Sequence, residues 1–163
     1  MRHAHALPRG SWPGPDRARR LSPRGERQAE AIGERLVAVA PAAIVSSPAE
    51  RCLATVAPLA ALTGLALEET APLEEGGDPA VALADLVRRA EKLAPGQSLV
   101  ACSHGDVIHG ILEALEPAGV VATSAAGVPK ASTWELAVMD GWVCGARFVA
   151  APAPGGSGLD RQA

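Results

Sequence analysis

Apolar residues along this chain alternate between short continuous runs and longer stretches with helical spacing. The runs 43–45, 65–69 and 98–102 have the length and apolar content of buried strands. The other stretches place apolar side chains every three to four residues, as one face of a helix does. These predicted helices begin at Ser22-Pro23, Ser47–Glu50, Asp78-Pro79 and about Asp106, and they end at Pro41, Thr63-Gly64, Pro95-Gly96 and Leu115. Strands that alternate with helices predict an α/β fold with a mainly parallel sheet.

Two of the helix starts carry specific capping signals. Ser22-Pro23 supplies an N-cap hydroxyl followed by proline at the first helical position. Ser47 and Glu50 are three residues apart and have the form of a capping box. This second start places Arg51 in the first turn of its helix.

The remaining segments indicate loops, a hairpin and a tail. Residues 7–21 are rich in proline, glycine and arginine and predict a loop. Residues 131–139 and 142–150 flank Asp140-Gly141, which is a strong hairpin signal. The tail from 151 to 163 is expected to be disordered. We therefore expect one domain over residues 1–150, a three-layer α/β/α sandwich with a mainly parallel sheet and a C-terminal hairpin.

Composition excludes several classes of partner. The chain of 163 residues carries 15 basic and 18 acidic side chains, so its net charge of −3 argues against a broad nucleic-acid surface. Aromatic residues make up only 2%, so stacking platforms for bases are not expected either. No apolar run reaches the length of a membrane span and no leader is visible, which predicts a cytoplasmic protein that does not bind membranes. The three cysteines are expected to be reduced, buried thiols.

Three polar clusters stand where predicted strands end and helices begin: Arg2-His3, Ser47 to Arg51, and Ser103-His104-Gly105. Parallel strands share one carboxyl edge, and helix N-termini at that edge favour anions. Two arginines and two histidines that converge there would form a compact pocket for a dianion, since arginine binds phosphate through paired donors. A neutral imidazole in that pocket could attack phosphorus.

Each cluster also has a structural interpretation. Arg2-His3 could be a frayed terminus, Arg51 a solvated helix residue, and Ser-His-Gly a turn; His5, His109, Glu74 and Glu75 could be ordinary surface residues. Metal binding is the sharper alternative, because His3 and His5 stand close together and so do His104 and His109. The second pair is five residues apart instead of four, and no further ligand spacing completes a site. No metal and no cofactor are therefore expected.

Five stretches resemble the histidine phosphatase superfamily, which includes the phosphoglycerate mutases. They are MRHAHA, RLSPRGERQAEAI, IVSSPAERCLATVAPLA, APLEEGGDP and VACSHGDVI, and they occur in the order in which the family has them. The chain is similar to the small SixA-type phosphohistidine phosphatases. It is equally similar to the phosphatase domain attached to Nudix hydrolases, including the stretch KASTWEL before the hairpin, although it contains no Nudix signature.

The resemblance implies a role for each candidate residue. His3 would be the nucleophile, with Arg2 and Arg51 as phosphate clamps and His104 stabilising the transferring group. Glu75 would be the general acid and base, with Glu74 as the fallback, and Arg9 would be a further phosphate contact. The substrate would be a phosphorylated small molecule or a phosphohistidine protein. A mutase and a catalytically impaired phosphate-binding module remain the alternatives.

One departure from the family pattern concerns the amino end. The first strand of the family precedes its Arg-His pair, whereas Met1 directly precedes Arg2 in this chain. The expectation is that the natural chain begins with a short apolar segment, without which Arg2-His3 would fray. The choice of substrate is expected to depend on the 7–21 loop, which carries Trp12 and four arginines, Arg9, Arg17, Arg19 and Arg20.

Overall fold

A computed structural model describes residues 1–120 and 127–153 of the chain. Four helices alternate with the first three of five strands. The elements in chain order are α1 (Pro23–Val37), β1 (Pro41–Ser46), α2 (Glu50–Thr63), β2 (Leu67–Glu69), α3 (Pro79–Ala90), β3 (Ser98–Cys102), α4 (Gly105–Leu115), β4 (Thr133–Met139) and β5 (Trp142–Val149). The 7–21 loop holds two short 3-10 turns at Arg9–Ser11 and Asp16–Ala18.

The first three strands form a parallel sheet in the order β2-β1-β3, and β4 and β5 form an antiparallel hairpin. Adjacent side chains of β1 define the layers, because alternate residues of a strand face opposite sides of a sheet. Ile44 packs with α1 and α2, whereas Val45 packs with α3 and α4. The two clusters consist mainly of alanine, valine, leucine and isoleucine. The predicted three-layer α/β/α fold with its C-terminal hairpin is confirmed.

The amino end is held on both sides and does not fray. Arg2 forms a parallel bridge with Ser103 at the end of β3, and the His3 backbone N–H donates to the Ser103 carbonyl at 3.1 Å. On the other side, the Arg2 N–H donates to the Ser132 carbonyl and the Ala131 N–H donates to the His3 carbonyl. An apolar groove of about 1050 Å³ separates β3 from β4, and Met1 lies among the residues that line it.

The start of α1 agrees with its capping signal, but the start of α2 does not. Ser22 is the N-cap of α1 and accepts a hydrogen bond from the Gly25 N–H at 3.2 Å. The N-cap of α2 is Ala49, which has no side chain to offer. Ser47 accepts only a long contact from the Ala49 N–H at 3.3 Å, and its hydroxyl also binds His104. The predicted capping box is therefore wrong, because the Ser47 hydroxyl binds His104 instead of capping the helix.

Other boundaries differ from the prediction by a few residues. α1 ends at Val37 and α3 at Ala90, both before the prolines that were expected to stop them. Cys52 and Cys102 are buried free thiols as predicted, but Cys144 is exposed because β5 belongs to a two-stranded hairpin. Within residues 1–120 and 127–153, no helix is long and apolar enough to cross a membrane. The predicted disordered tail lies outside the described residues from 154 onward.

Candidate active site

The three predicted polar clusters meet at the carboxyl edge of the parallel sheet. β1 ends at Ser46 and leads into α2, whose first turn carries Arg51. β3 ends at Cys102 and leads through Ser103 and His104 into α4. The bridge between Arg2 and Ser103 brings His3 to the same edge. The imidazole rings of His3 and His104 lie 5.5 Å apart in an edge-to-face arrangement.

The environment of His3 sets its protonation. Its Nδ1 lies 2.7 Å from the Ala4 carbonyl oxygen. A carbonyl only accepts, so Nδ1 carries the hydrogen and Nε2 keeps its lone pair. Burial lowers the pKa of His3 to about 3, against an opposing effect of the Ala4 contact and with help from the nearby charges of His104, Arg51 and Arg2. His3 is therefore a neutral imidazole with a free Nε2 over the whole physiological range.

His104 is fixed by contacts to both ring nitrogens. Its Nε2 lies 2.8 Å from the Ser47 hydroxyl, and its Nδ1 lies 3.3 Å from Nη2 of Arg51. The guanidinium only donates, so Nδ1 accepts in this arrangement and the Nε2–H donates to Ser47. The Cys52 thiol adds a weak contact to the same Nε2 at 3.5 Å. Ser47 thus sets the orientation of the ring.

Arg2 and Arg51 each keep one buried donor without a hydrogen-bond partner among the described residues. Arg2 donates from Nη1 to the Val128 carbonyl at 2.7 Å. Among the described residues, the buried Nε atoms of Arg2 and Arg51 find no hydrogen-bond partner. A buried donor without a partner is costly and calls for an explanation. An anion held between the two guanidinium groups would satisfy both donors.

Gly105 allows the Arg2 side chain to lie against the first turn of α4. A Cβ atom at this position would come within 2.9 Å of Cζ of Arg2. Any other residue would therefore displace the guanidinium. The glycine of the Ser-His-Gly cluster is explained by this close approach.

Of the two candidate glutamates, Glu75 is the one that reaches the pocket. Its Oε2 accepts from Nη2 of Arg51 at 2.7 Å, and both its oxygens lie 3.0 Å from Nη2 of Arg9. The turn that carries it is fixed by the Gly76 N–H, which donates to Asp106 at 2.7 Å. The fallback Glu74 pairs with Arg17 at 3.5 Å, and it does not line the pocket.

The pocket itself has a volume of about 400 Å³. It is lined by Arg2, His3, Glu75, His104, Gly105, Asp106, His109 and Val128. Neither Arg51 nor Arg9 lines the pocket: Arg51 is buried and contacts Glu75 and His104 of the lining, whereas Arg9 is exposed and pairs with Glu75 and Asp16. His109 was expected to be an ordinary helix residue, but it lies at the pocket wall, with its ring 3.2 Å from Glu113. His5 lies away from the pocket and binds the Ser22 hydroxyl.

Sequence reasoning missed three residues that support the site. Ser47 was interpreted as a helix cap, Asp106 as an ordinary helix start, and Asp16 as part of a loop. Each acts on a residue distant in sequence: His104, Gly76 and Arg51 respectively. Only Ser47 had a detectable signal, because it belongs to the stretch that carries Arg51. Within residues 1–120 and 127–153, no group of three or more potential metal ligands is gathered, and the expectation of a metal-free site stays a prediction.

Comparisons with known proteins agree with this geometry. A family model described as the histidine phosphatase superfamily, branch 1, matches residues 1–78, which include His3, Arg51 and Glu75. The amino-terminal part of the chain, residues 1–78, is therefore similar to the histidine phosphatase superfamily. A curated relative, the 8-oxo-(d)GTP phosphatase of Mycolicibacterium smegmatis (strain ATCC 700084 / mc(2)155), is 34% identical over 155 residues, covering 93% of this chain and 47% of the relative. The chain thus spans about half the length of the curated relative it matches.

Solved structures share the histidine phosphatase fold. The protein histidine phosphatase SixA complexed with tungstate is 18% identical, with 94% of each chain covered and a TM-score of 0.70. A mycobacterial glucosyl-3-phosphoglycerate phosphatase complexed with VO3 is 23% identical, covering 91% of this chain and 95% of that chain, with a TM-score of 0.67. At these identities the two neighbours establish the fold.

Proposed function

We propose that this chain is a phosphatase that hydrolyses a phosphoester or phosphoramidate through a phosphohistidine intermediate on His3. The observation that supports this most is the state of His3, a buried neutral imidazole whose Nδ1–H is held by Ala4. Its Nε2 lone pair is left free beside two guanidinium groups with unpartnered Nε donors. A neutral nucleophile next to fixed positive charge suits attack on a phosphate dianion.

In the first step, Nε2 of His3 attacks phosphorus in line with the leaving oxygen. A P–N bond forms and the P–O bond to the leaving group breaks, while Arg2 and Arg51 stabilise the charge on the equatorial oxygens. The leaving oxygen takes a proton from the Glu75 carboxyl group. Before that, Glu75 must leave Arg51, which it contacts in the phosphate-free arrangement. The incoming dianion would take its place.

In the second step, the Glu75 carboxylate takes a proton from water as the water oxygen attacks phosphorus. The P–N bond breaks, its electron pair returns to Nε2 of His3, and inorganic phosphate is released. His104 borders the same pocket, and its Nδ1 contact with Nη2 of Arg51 would help to keep this guanidinium in place in both steps. No step calls for a metal, so activity is expected to survive exhaustive dialysis against EDTA.

The substrate is proposed to be a phosphorylated small molecule or a phosphohistidine protein in the cytoplasm. The three relatives above are named for three different phosphorylated compounds. Proteins similar to this chain therefore act on different compounds, and we infer that the segments around the phosphate pocket decide the substrate. In this chain the surroundings are the 7–21 loop and the pocket mouth at His109 and Val128.

The test is to trap the intermediate on EDTA-dialysed protein. The chain is mixed with a radiolabelled phosphate ester or phosphohistidine peptide and quenched in alkaline detergent. We expect label on the protein that resists alkali and is lost in acid, as a phosphoramidate is. His3→Ala should carry no label and lose more than about a hundredfold in kcat, whereas His109→Ala, a second histidine of the pocket wall, should still be labelled.

Three outcomes would contradict the proposal. Equal labelling of His3→Ala and the unchanged chain would remove the nucleophile assignment. Loss of activity on dialysis, restored by zinc or manganese, would favour a metal mechanism. Label that passes to a second phosphorylated product and not to water would indicate the mutase alternative.

A further inference from the structure

Asp16, in the 7–21 loop, joins three arginines at the edge of the pocket. Its Oδ1 accepts from Nε of Arg19 at 2.8 Å and from Nε of Arg9 at 2.9 Å. Its Oδ2 lies 3.2 Å from Nη1 of Arg51, and its main-chain carbonyl accepts from the same Nη1 at 2.8 Å. Asp16 begins the short 3-10 turn Asp16–Ala18, so the 7–21 loop presents this carboxylate to Arg51.

The nitrogen atoms of the Arg51 guanidinium contact different partners. The Arg51 side chain is only 2% exposed, so its orientation depends on these contacts. Among the described residues, Nη1 contacts only Asp16, through the main-chain oxygen and the carboxylate. Nη2 contacts Glu75 and His104, both of which line the pocket, and Nε has no partner in the same part of the chain. When a dianion displaces Glu75, Asp16 continues to orient the guanidinium through Nη1, and His104 keeps its longer contact to Nη2.

We propose that Asp16 is a positioning residue of the phosphate clamp. It holds Arg51 through Nη1, so that Nη2 and Nε face the phosphate, and it anchors the loop through Arg9 and Arg19. This inference rests on the proposed function. A clamp held in the correct orientation before the substrate arrives matters because small misplacements of a binding group cost much of its effect.

The charge of Asp16 has an effect of the opposite sign. A carboxylate beside the clamp repels an incoming dianion, so removal of the charge by itself would tighten phosphate binding. Partial burial raises the pKa of Asp16, but the hydrogen bond from Arg19 and the charges of Arg51, Arg19 and Arg9 outweigh it and lower this pKa to about 2. Asp16 is therefore a carboxylate at every pH at which the assay is run. Neutralisation of Asp16 would weaken phosphate binding if positioning of Arg51 dominates, and it would tighten phosphate binding if repulsion dominates.

Asp16→Asn removes the charge and one of the two accepting oxygens, while it keeps the size of the side chain and the main-chain oxygen that contacts Arg51. Asp85→Asn is the matched control. Asp85 also accepts from two arginines, Arg88 and Arg89, but on α3 and away from the pocket. A merely structural role would lower the melting temperature in either variant without changing the phosphate affinity of the folded protein.

Two measurements are made on the full chain at one ionic strength: calorimetric binding of inorganic phosphate, and kcat and KM on p-nitrophenyl phosphate. We expect Asp16→Asn to weaken phosphate binding and lower kcat, each by about tenfold. Asp85→Asn should leave both within about twofold. Asp16→Glu keeps the charge but moves it by one methylene, so we expect an intermediate loss of about threefold.

Phosphate binding by Asp16→Asn that is equal to or tighter than that of the unchanged chain, with kcat unaltered, would overturn the proposal. If Asp16→Asn does not fold, Asp16→Glu decides, and unaltered binding and kcat in that variant would overturn it. An unchanged chain that binds phosphate but turns over no ester would contradict the proposed function instead. The binding comparison would then still test the clamp.

Discussion

Two networks of charged side chains in this protein have the same composition but different construction. The site network consists of Arg9, Asp16, Arg51 and Glu75, in which each arginine contacts both acids. The helix network consists of Glu68, Asp85, Arg88 and Arg89, in which Asp85 pairs with both arginines and Glu68 with one of them.

Two of the three ion pairs of the helix network are local, and the third joins Arg89 to Glu68 on β2. Arg88 and Arg89 lie three and four residues after Asp85 on α3, which is the spacing that brings helical side chains together. The site network joins a loop, the first turn of α2 and the turn at Glu75, and it surrounds an arginine that is almost fully buried. Exposed ion pairs contribute little to stability, whereas a buried charge must be compensated. Of these two networks, only the site network therefore connects the 7–21 loop with a buried arginine and with a residue that lines the pocket.

The largest expected difference between the networks is for their arginines. Arg51→Ala removes a buried guanidinium and leaves Asp16 and Glu75 facing each other. We expect a loss of about 3 kcal/mol in the free energy of unfolding and of about a thousandfold in kcat/KM. Arg89→Ala should cost about 0.5 kcal/mol and leave activity unchanged. Urea unfolding and steady-state kinetics measure both, and equal losses of stability in the two variants would break the comparison.

The pH dependence of stability sharpens the contrast between buried and exposed groups at the pocket. Burial lowers the pKa of His3 from 6.5 to about 3, so between these values the unfolded chain binds a proton there and the folded chain does not. The free energy of unfolding therefore rises with pH across this window, and the stability is lost as pH falls below about 6.5.

We expect the unchanged chain to lose about 3 kcal/mol more than His3→Gln between pH 7 and pH 4, because residue 3 no longer titrates in the variant. Urea unfolding at each pH measures this difference. Parallel curves for the unchanged chain and His3→Gln would show that His3 is not held neutral.

The smallest expected difference is between the effects of removing two hydroxyl groups, one near each network. Ser47 is buried and orients His104, whereas Thr70 makes a long contact to Asp85 at 3.4 Å. Ser47→Ala leaves a buried imidazole N–H with only a thiol nearby, so we expect a loss of about 1 kcal/mol in stability and about tenfold in kcat. Thr70→Val should cost less than about 0.5 kcal/mol and leave kcat unchanged. A kcat in Ser47→Ala equal to that of Thr70→Val would show that His104 keeps its orientation without the serine.

The sequence alone determined the elements and the residues that form the pocket. Helical spacing and the Ser22-Pro23 cap located α1, and the run at 98–102 located β3 together with the His104 that follows it. Because parallel strands share a carboxyl edge, the order of the clusters was sufficient to predict that His3, Arg51 and His104 meet. The ion pairs of α3 are likewise readable from spacing.

Tertiary structure decided which of these side chains contact one another and in what state. Ser47 caps no helix because His104 lies within reach of its hydroxyl. Asp16 gains its position from a loop whose conformation no local pattern specifies, and Glu75 is chosen over Glu74 by the direction of a turn that Asp106 holds. The neutral form of His3 follows from burial beneath several segments. These contacts join residues that are far apart in the chain. The spacing of apolar residues gives information only about residues that are close in sequence, so it could not predict them.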